Sequence, residues 1–177
     1  MLQFISFPSP LGWLLVAGSS AGITMVAFLG EREPSDDECR EVIRKQSRGA
    51  PAERGPTAAS LTDAKEAILE YLTSGTPIPP LPLDMARGTP FQQEVWGAIG
   101  KIPFGETRTY LEIARAVGRP LASRAVGQAC GANPLPIVIP CHRVAGAGGK
   151  LGGYTGGIHV KAALLRLEVP GSAPGAA

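Results

Sequence analysis

Apolar and polar positions alternate over short spans in the first 30 residues, and the pattern then lengthens to a helical period. Residues 2–5 begin a strand, Pro8-Ser9-Pro10-Leu11-Gly12 forms a turn, and 13–17 and 23–29 are further strands separated by turn residues at 18–22. Ser35-Asp36-Asp37-Glu38 matches a capping box, in which a serine hydroxyl and a glutamate carboxylate each accept the other residue's backbone N–H at a helix start. Cys39, Val42 and Ile43 follow at helical spacing. Residues 47–59 are rich in Ala, Pro, Gly and Arg, and a mobile loop is expected there. A helix over 61–72 puts Leu61, Ala64, Ile68 and Leu72 on one face. Thr76-Pro77-Ile78-Pro79-Pro80-Leu81-Pro82 is stiff and extended, as an interdomain linker would be, which sets a boundary near residue 84.

The second half carries sharper signals. Thr89-Pro90-Phe91-Gln92 combines an N-cap, proline at the first helical position and glutamine at the third. Phe91, Val95, Ala98 and Ile99 form the expected buried stripe. Thr109-Tyr110-Leu111-Glu112 is another capping box, opening a helix with Tyr110, Ile113, Ala114 and Val117 on one face; Gly118 ends it. After the turn Arg119-Pro120-Leu121, residues 122–131 form a helix of small side chains, so the pair matches a helix-turn-helix. The β-branched run Ile137-Val138-Ile139 reads as a short strand, and 158–168 as an amphipathic helix with Val160, Ala163, Leu164 and Leu167 inward.

The predicted class is α+β: a small N-terminal antiparallel sheet with helices, joined to a mostly helical, winged-helix-like C-terminal domain containing the helix-turn-helix. The expected divisions are 1–84, with its linker at 76–84, then 85–169, then a flexible tail at 170–177.

Charge sharpens this division. The net charge of +2 hides a balance of −4 over residues 1–85 (7 Lys/Arg, 11 Asp/Glu) and +6 over 86–177 (10 Lys/Arg, 4 Asp/Glu). A basic half suits contact with a polyanion, although scattered solvated charges would give the same count. Three cysteines, Cys39, Cys130 and Cys141, are an odd number without CxxC spacing, which argues against a disulfide framework or structural zinc and for a reducing, cytoplasmic setting. Residues 1–18 are apolar but lack a basic leader and are broken by Pro8 and Pro10. No window approaches the roughly 20 apolar residues of a membrane span, so neither a signal peptide nor a membrane partner is expected.

Candidate chemistry centres on Pro140-Cys141-His142-Arg143. A thiol beside an imidazole and a guanidinium, at the end of a short strand, describes a partly exposed, electropositive cysteine that can ionise. A buried structural cysteine is the competing reading. Adjacent strand residues face opposite ways, so direct Cys141–His142 contact requires the backbone to turn after Pro140, or a bridging water. Glu168, in the last turn of a helix, opposes the macrodipole and calls for a partner such as His142, or for solvent. Residues 122–131 carry Arg124 and Gln128 among Ala125, Gly127, Ala129 and Gly131; a slim helix of this kind enters a narrow groove or packs tightly on another helix. Gly149-Lys150 is no phosphate loop, because Leu151 replaces the required Ser or Thr and Val144 the required Gly.

Together these residues resemble the O6-alkylguanine-DNA alkyltransferases, also called methylated-DNA–protein-cysteine methyltransferases. The resemblance covers about 85–168 and runs through Phe91-Gln92-Gln93-Glu94-Val95-Trp96, Ile102-Pro103-Phe104-Gly105-Glu106-Thr107, Tyr110 with Ile113-Ala114, and Arg124-Ala125-Val126-Gly127. It continues through Asn133-Pro134, Ile139-Pro140-Cys141-His142-Arg143-Val144, Gly153-Tyr154-Thr155-Gly156-Gly157, Lys161, and Leu164-Leu165 with Glu168. The first 85 residues match only in size and in β-then-helix character.

The resemblance implies direct-reversal DNA repair: irreversible, single-turnover transfer of the alkyl group from O6-alkylguanine, or O4-alkylthymine, in duplex DNA to the protein's own cysteine. It implies base flipping, no cofactor, and a monomer whose partner is double-stranded DNA; some relatives hold zinc in the N-terminal domain, but residues 1–85 have only Cys39 and no histidine, so no metal is expected. By the resemblance, Cys141 is the acceptor, His142 takes its proton through a water, Glu168 orients the imidazole and Asn133 braces the turn. Arg124 enters the base stack, with Ala125, Gly127, Gln128 and Gly131 along the DNA, and Tyr110 meets the phosphate and the guanine ring. Val144, Tyr154, Thr155 and Pro136 line the base pocket, with backbone groups of Cys141, Val144 and Thr155 reading the base edge. Cys130 is expected in core packing. Rival readings are a non-catalytic helix-turn-helix binder of alkylated DNA, a Cys-His hydrolase and a plain helix-turn-helix regulator.

Overall fold

The computed structural model describes residues 1–55 and 59–169, so the expected tail at 170–177 lies outside the described residues. The chain divides into two compact units, Met1–Met85 and Ala86–Ala177.

In the first unit, β1 (Leu2–Ser9) and β2 (Gly12–Ser19) form a tight antiparallel hairpin, and β3 (Gly22–Gly30) adds to β2 antiparallel. The capping box at Ser35 forms with both reciprocal bonds and starts α1 (Asp36–Gln46), which buries Cys39 and Ile43 against Leu2, Phe4, Leu15, Ala17, Met25 and Ala27. Each large apolar side chain removed from water there contributes about 1.5–3 kcal/mol. The helix α2 (Ala59–Ser74) packs on β1, β2 and β3 through Leu61, Ala64, Ile68, Tyr71 and Leu72.

Two expectations change here. Residues 52–54, read as part of a mobile loop, form β4 (Ala52–Arg54), which pairs parallel to β1; the sheet is therefore mixed, with order β3-β2-β1-β4. The reason is the open edge of β1: Leu2 N–H donates to Pro51 O at 3.0 Å, and Gly55 N–H donates to Phe4 O at 3.1 Å. The Arg54 guanidinium completes the join, 5.3 Å over the Phe4 ring and 2.5 Å from Asp36 Oδ1. The end of the proline-rich segment lies along β3, where Ile23 N–H donates to Pro82 O and Asp84 N–H to Ile23 O, each at 2.8 Å.

In the second unit, α3 (Pro90–Ile99) and α4 (Tyr110–Ala116) start at the capping boxes of Thr89 and Thr109. Gly118, at φ +72°, lets the chain leave α4, and α5 (Ser123–Gly131) follows after the turn. The last helix is α6 (Ile158–Leu167). The buried face of α3 is rotated from the expected stripe: Val95, Trp96 and Ile99 are buried, while Phe91 and Ala98 are half-buried. Trp96 decides the rotation, because its Nε1–H donates to Ala129 O at 2.8 Å and ties α3 to α5. Phe91 carries the Arg119 guanidinium 5.0 Å from its ring centroid.

The run Ile137-Val138-Ile139 is not a strand. Ile137 sits at φ +74°, which no strand tolerates, and the loop from Asn133 coils into a 3-10 turn, Cys141–Arg143. Beyond it, β6 (Val144–Ala145) pairs parallel with β5 (Arg108–Thr109). Among the described residues no helix is long and apolar enough to cross a membrane.

Candidate functional site

Asn133 organises the loop that carries the thiol. Its Nδ2 donates to Ile139 O at 3.0 Å and to Cys141 Sγ at 3.1 Å, and its Oδ1 accepts from Leu135 N–H at 3.0 Å. One buried amide thus closes the loop around Ile137 and aims the sulfur. Cys141 N–H donates to Ile139 O at 2.7 Å and Arg143 N–H to Pro140 O at 2.9 Å, so the backbone does turn at Pro140.

Cys141 is 3% exposed, not partly exposed as expected. The expected position at a strand end would have left the sulfur at a rim; the coiled loop draws it inside instead. Burial pushes its thiol above the usual value, opposed by the Asn133 amide, the Lys161 ammonium and the backbone N–H groups of Cys141 and His142. At rest the group is a neutral thiol surrounded by donors that favour its anion.

His142 is fully buried, and its Nε2–H donates to Glu168 Oε1 at 2.8 Å. The carboxylate can only accept, so the proton sits on Nε2 and Nδ1 is the basic nitrogen. Glu168, capping the C-terminus of α6, owes its unfavourable place on the dipole to a ring of donors. Arg143 Nε donates to both oxygens, at 3.1 and 2.9 Å, Arg143 Nη2 to Oε1 at 2.9 Å, and Gly105 N–H to Oε2 at 3.2 Å. Arg143 is itself fixed by Nη1–H to Ile102 O at 2.8 Å and lies 5.7 Å over the Phe104 ring. From the sequence, Arg143 was expected only as positive charge beside the thiol, not as the partner of Glu168. A guanidinium next to a histidine that needs a buried carboxylate was the signal available.

Burial holds the His142 imidazole below 6.5; Glu168 opposes this, while Arg143 and Lys161 reinforce it. The folded protein therefore binds this proton less readily than the unfolded chain, and the stability it confers is complete above 6.5 and lost as pH falls through the lower folded value. We expect the melting temperature of the second unit to drop between pH 6.5 and about pH 5, before most carboxylates titrate. A flat profile across that window would contradict the buried neutral imidazole.

Tyr110 is the first residue of α4, and the β5–β6 pairing, Arg108↔Val144 and Thr109↔Ala145, fastens that helix start to the residues just after the thiol turn. Its ring passes between α5 and the glycine-rich loop: a Cβ at Gly152 would overlap the Tyr110 hydroxyl, whereas one at Gly127 would stand 3.8 Å from the ring, an ordinary contact. Packing against Tyr110 therefore requires glycine at 152 but not at 127. Burial raises the Tyr110 phenol, and so do Cys130 and Cys141.

The remaining residues separate into interior and surface. Val144 and Pro136 are buried, and half-buried Tyr154 stands edge-on to His142 with ring centroids 6.4 Å apart. Arg124, Gln128, Gly131 and Thr155 are exposed, and Ala125 and Gly127 are half-buried. The outward face of α5 is thus slim, with one long cation, while Val126, Ala129 and Cys130 point inward. Burial pushes the Cys130 thiol up to about 12, so it is inert packing at neutral pH. Lys161, quoted above only for resemblance, is also buried. Among the described residues no group of three or more His, Cys, Asp or Glu is placed to hold a metal ion.

Fold and site define a class: a helix-turn-helix unit with thiol, imidazole and carboxylate gathered in its core, preceded by a small α/β unit. Residues 3–85 match the family model described as 6-O-methylguanine DNA methyltransferase, ribonuclease-like domain, and residues 90–170 that described as 6-O-methylguanine DNA methyltransferase, DNA binding domain. The methylated-DNA–protein-cysteine methyltransferase of Methanosarcina acetivorans is 41% identical over 172 residues, 94% of this chain and 98% of that one. Its counterpart from Mycobacterium bovis is 41% identical over 169 residues, 95% and 93% of the two chains. The crystal structure of Mycobacterium tuberculosis OGT in complex with DNA matches with a TM-score of 0.77 at 42% identity, covering 94% of this chain and 92% of that one. The chain belongs to the 6-O-methylguanine DNA methyltransferase family.

Proposed function

We propose that the protein repairs alkylated DNA by moving the alkyl group from guanine O6 to the sulfur of Cys141, once per molecule and without a cofactor. The observation that carries this reading is the Cys141 sulfur, held by Asn133 in the same unit as the His142–Glu168–Arg143 chain and the helix-turn-helix. The thiol gives its proton toward the basic nitrogen of His142, whose opposite edge Glu168 holds. The sulfur attacks the alkyl carbon in line, the carbon–O6 bond breaks, and guanine leaves after taking up a proton. A thioether remains, which water does not cleave, so the protein is consumed.

The lesion must leave the duplex first, at a cost of a few kcal/mol that is smaller for a weakly paired base. In this reading the slim face of α5 lies in the minor groove and Arg124 fills the vacated stack. Tyr110 contacts the phosphate and the extruded ring, and Val144, Tyr154, Thr155 and Pro136 surround the base. The second unit docks DNA and accepts the group, and the first supports it. Three free thiols suit a reducing, cytoplasmic setting. The relatives and Cys141 itself disfavour a non-catalytic binder.

The test is incubation with excess duplex containing O6-methylguanine, followed by peptide mass mapping. One CH2 should appear on the peptide carrying Cys141, and demethylation should stop at one equivalent. Methylation elsewhere, or sustained turnover, overturns the reading.

A further inference from the structure

Lys161 occupies a place that the chemistry above leaves unexplained. It lies on α6 beside the thiol turn, and at 1% exposure it is among the largest fully buried side chains. Its Nζ donates to Val144 O at 2.6 Å. Among the described residues no carboxylate forms an ion pair with it. Burying an ammonium without a carboxylate is costly and normally favours the neutral amine. Burial does pull Lys161 below its usual value, and the two groups that pull it back up are Cys141 and Cys130. The dependence is mutual, since Lys161 draws both thiols down against the larger effect of their burial. Lys161 also helps to keep His142 neutral.

The titratable groups that share this centre are Cys141, His142 and Arg143 of the turn, Cys130 of α5, Tyr110 of α4 and Glu168 at the end of α6. Glu168 is engaged by Arg143 and His142, so the negative charge left for Lys161 to meet is one that develops on sulfur. Resting on the alkyl-transfer reading, we propose that Lys161 is a positioning residue for that reaction: its ammonium, fixed on the Val144 carbonyl, supplies the positive charge against which the Cys141 sulfur becomes negative as its proton leaves. The anchor matters as much as the charge. Val144 pairs with Arg108 in the strand pair that also fixes Tyr110, so the cation, the sulfur and the base pocket share one frame.

The experiment follows carbamidomethylation of Cys141 by iodoacetamide across pH in the wild type, Lys161→Met and Lys161→Arg, read by mass spectrometry. In Lys161→Met the reactivity midpoint should rise by about one pH unit, with a rate about tenfold lower at neutral pH. Lys161→Arg, which keeps the charge, should stay near wild type. A folded Lys161→Met with an unshifted midpoint overturns the proposal, as does a shift that Lys161→Arg fails to restore. Should Lys161→Met not fold, NMR titration of 13C-labelled lysines in the wild type and Cys141→Ser decides: Lys161 should titrate lower without the thiol, and equal midpoints overturn the proposal. Iodoacetamide requires no DNA. Failure of the wild type to accept a methyl group therefore removes the repair function alone, whereas methyl acceptance with an unshifted Lys161→Met removes the role of Lys161 alone.

Discussion

Replacing Glu168 by alanine should cost the second unit about 3–5 kcal/mol, the usual penalty for stripping one partner from a buried ion pair. Alkyl transfer should slow by about a hundredfold or more, the scale of losing a positioned proton acceptor. Both effects have one source. The carboxylate takes the Nε2–H of His142, three contacts from Arg143 and the Gly105 N–H, and it is itself almost fully buried. Without it the Arg143 guanidinium remains in a mostly dry site and the imidazole loses the bond that sets its tautomer. Glu168→Gln, which keeps the volume and one carbonyl oxygen, should fall between the two. Urea denaturation and single-turnover rates are the measurements. An alanine variant of wild-type stability would show that these contacts add nothing net to the fold.

The second large effect is expected at Asn133→Leu. Leucine is close in volume but leaves Leu135 N–H and the Cys141 sulfur without the Asn133 partner each now has, and leaves Ile139 O with the Cys141 N–H alone. Each orphaned buried group costs about 1–3 kcal/mol. The same amide holds the loop in which Ile137 sits at φ +74°, a conformation of about 1–3 kcal/mol strain that persists only where its surroundings enforce it. A loss of about 2–5 kcal/mol is expected, together with loss of methyl acceptance, because the loop relaxes and the sulfur loses its aim. Methyl acceptance at the wild-type rate in this variant would show that the turn Cys141–Arg143 forms without the amide.

What could be read from the chain, and what could not, divides by the range of the interaction. The capping boxes at Ser35, Thr89 and Thr109 are decided within four residues, and each forms with both of its reciprocal bonds. Gly118 ends α4 as read, because left-handed backbone is a local preference of glycine. Local propensity failed where a partner outside the segment outweighed it. Ile137-Val138-Ile139 has the composition of a strand, yet the Asn133 side chain offers that backbone a better set of bonds. Residues 52–54 lack strand character, yet the open edge of β1 recruits them.

The site divides in the same way. Its reactive types were legible from Pro140-Cys141-His142-Arg143, since thiol, imidazole and guanidinium are properties of residues. Their protonation and partners were not. Arg143 reaches Glu168 across 25 residues and Lys161 reaches Val144 across 17, and no period in the sequence connects those positions. By itself the chain determined which helices start where, and which side chains could carry chemistry, because capping and functional-group identity act over a few bonds. Only the folded structure decided that the sulfur and the imidazole are buried and that a buried lysine is anchored on the Val144 carbonyl, because desolvation and charge depend on which distant groups close over a site.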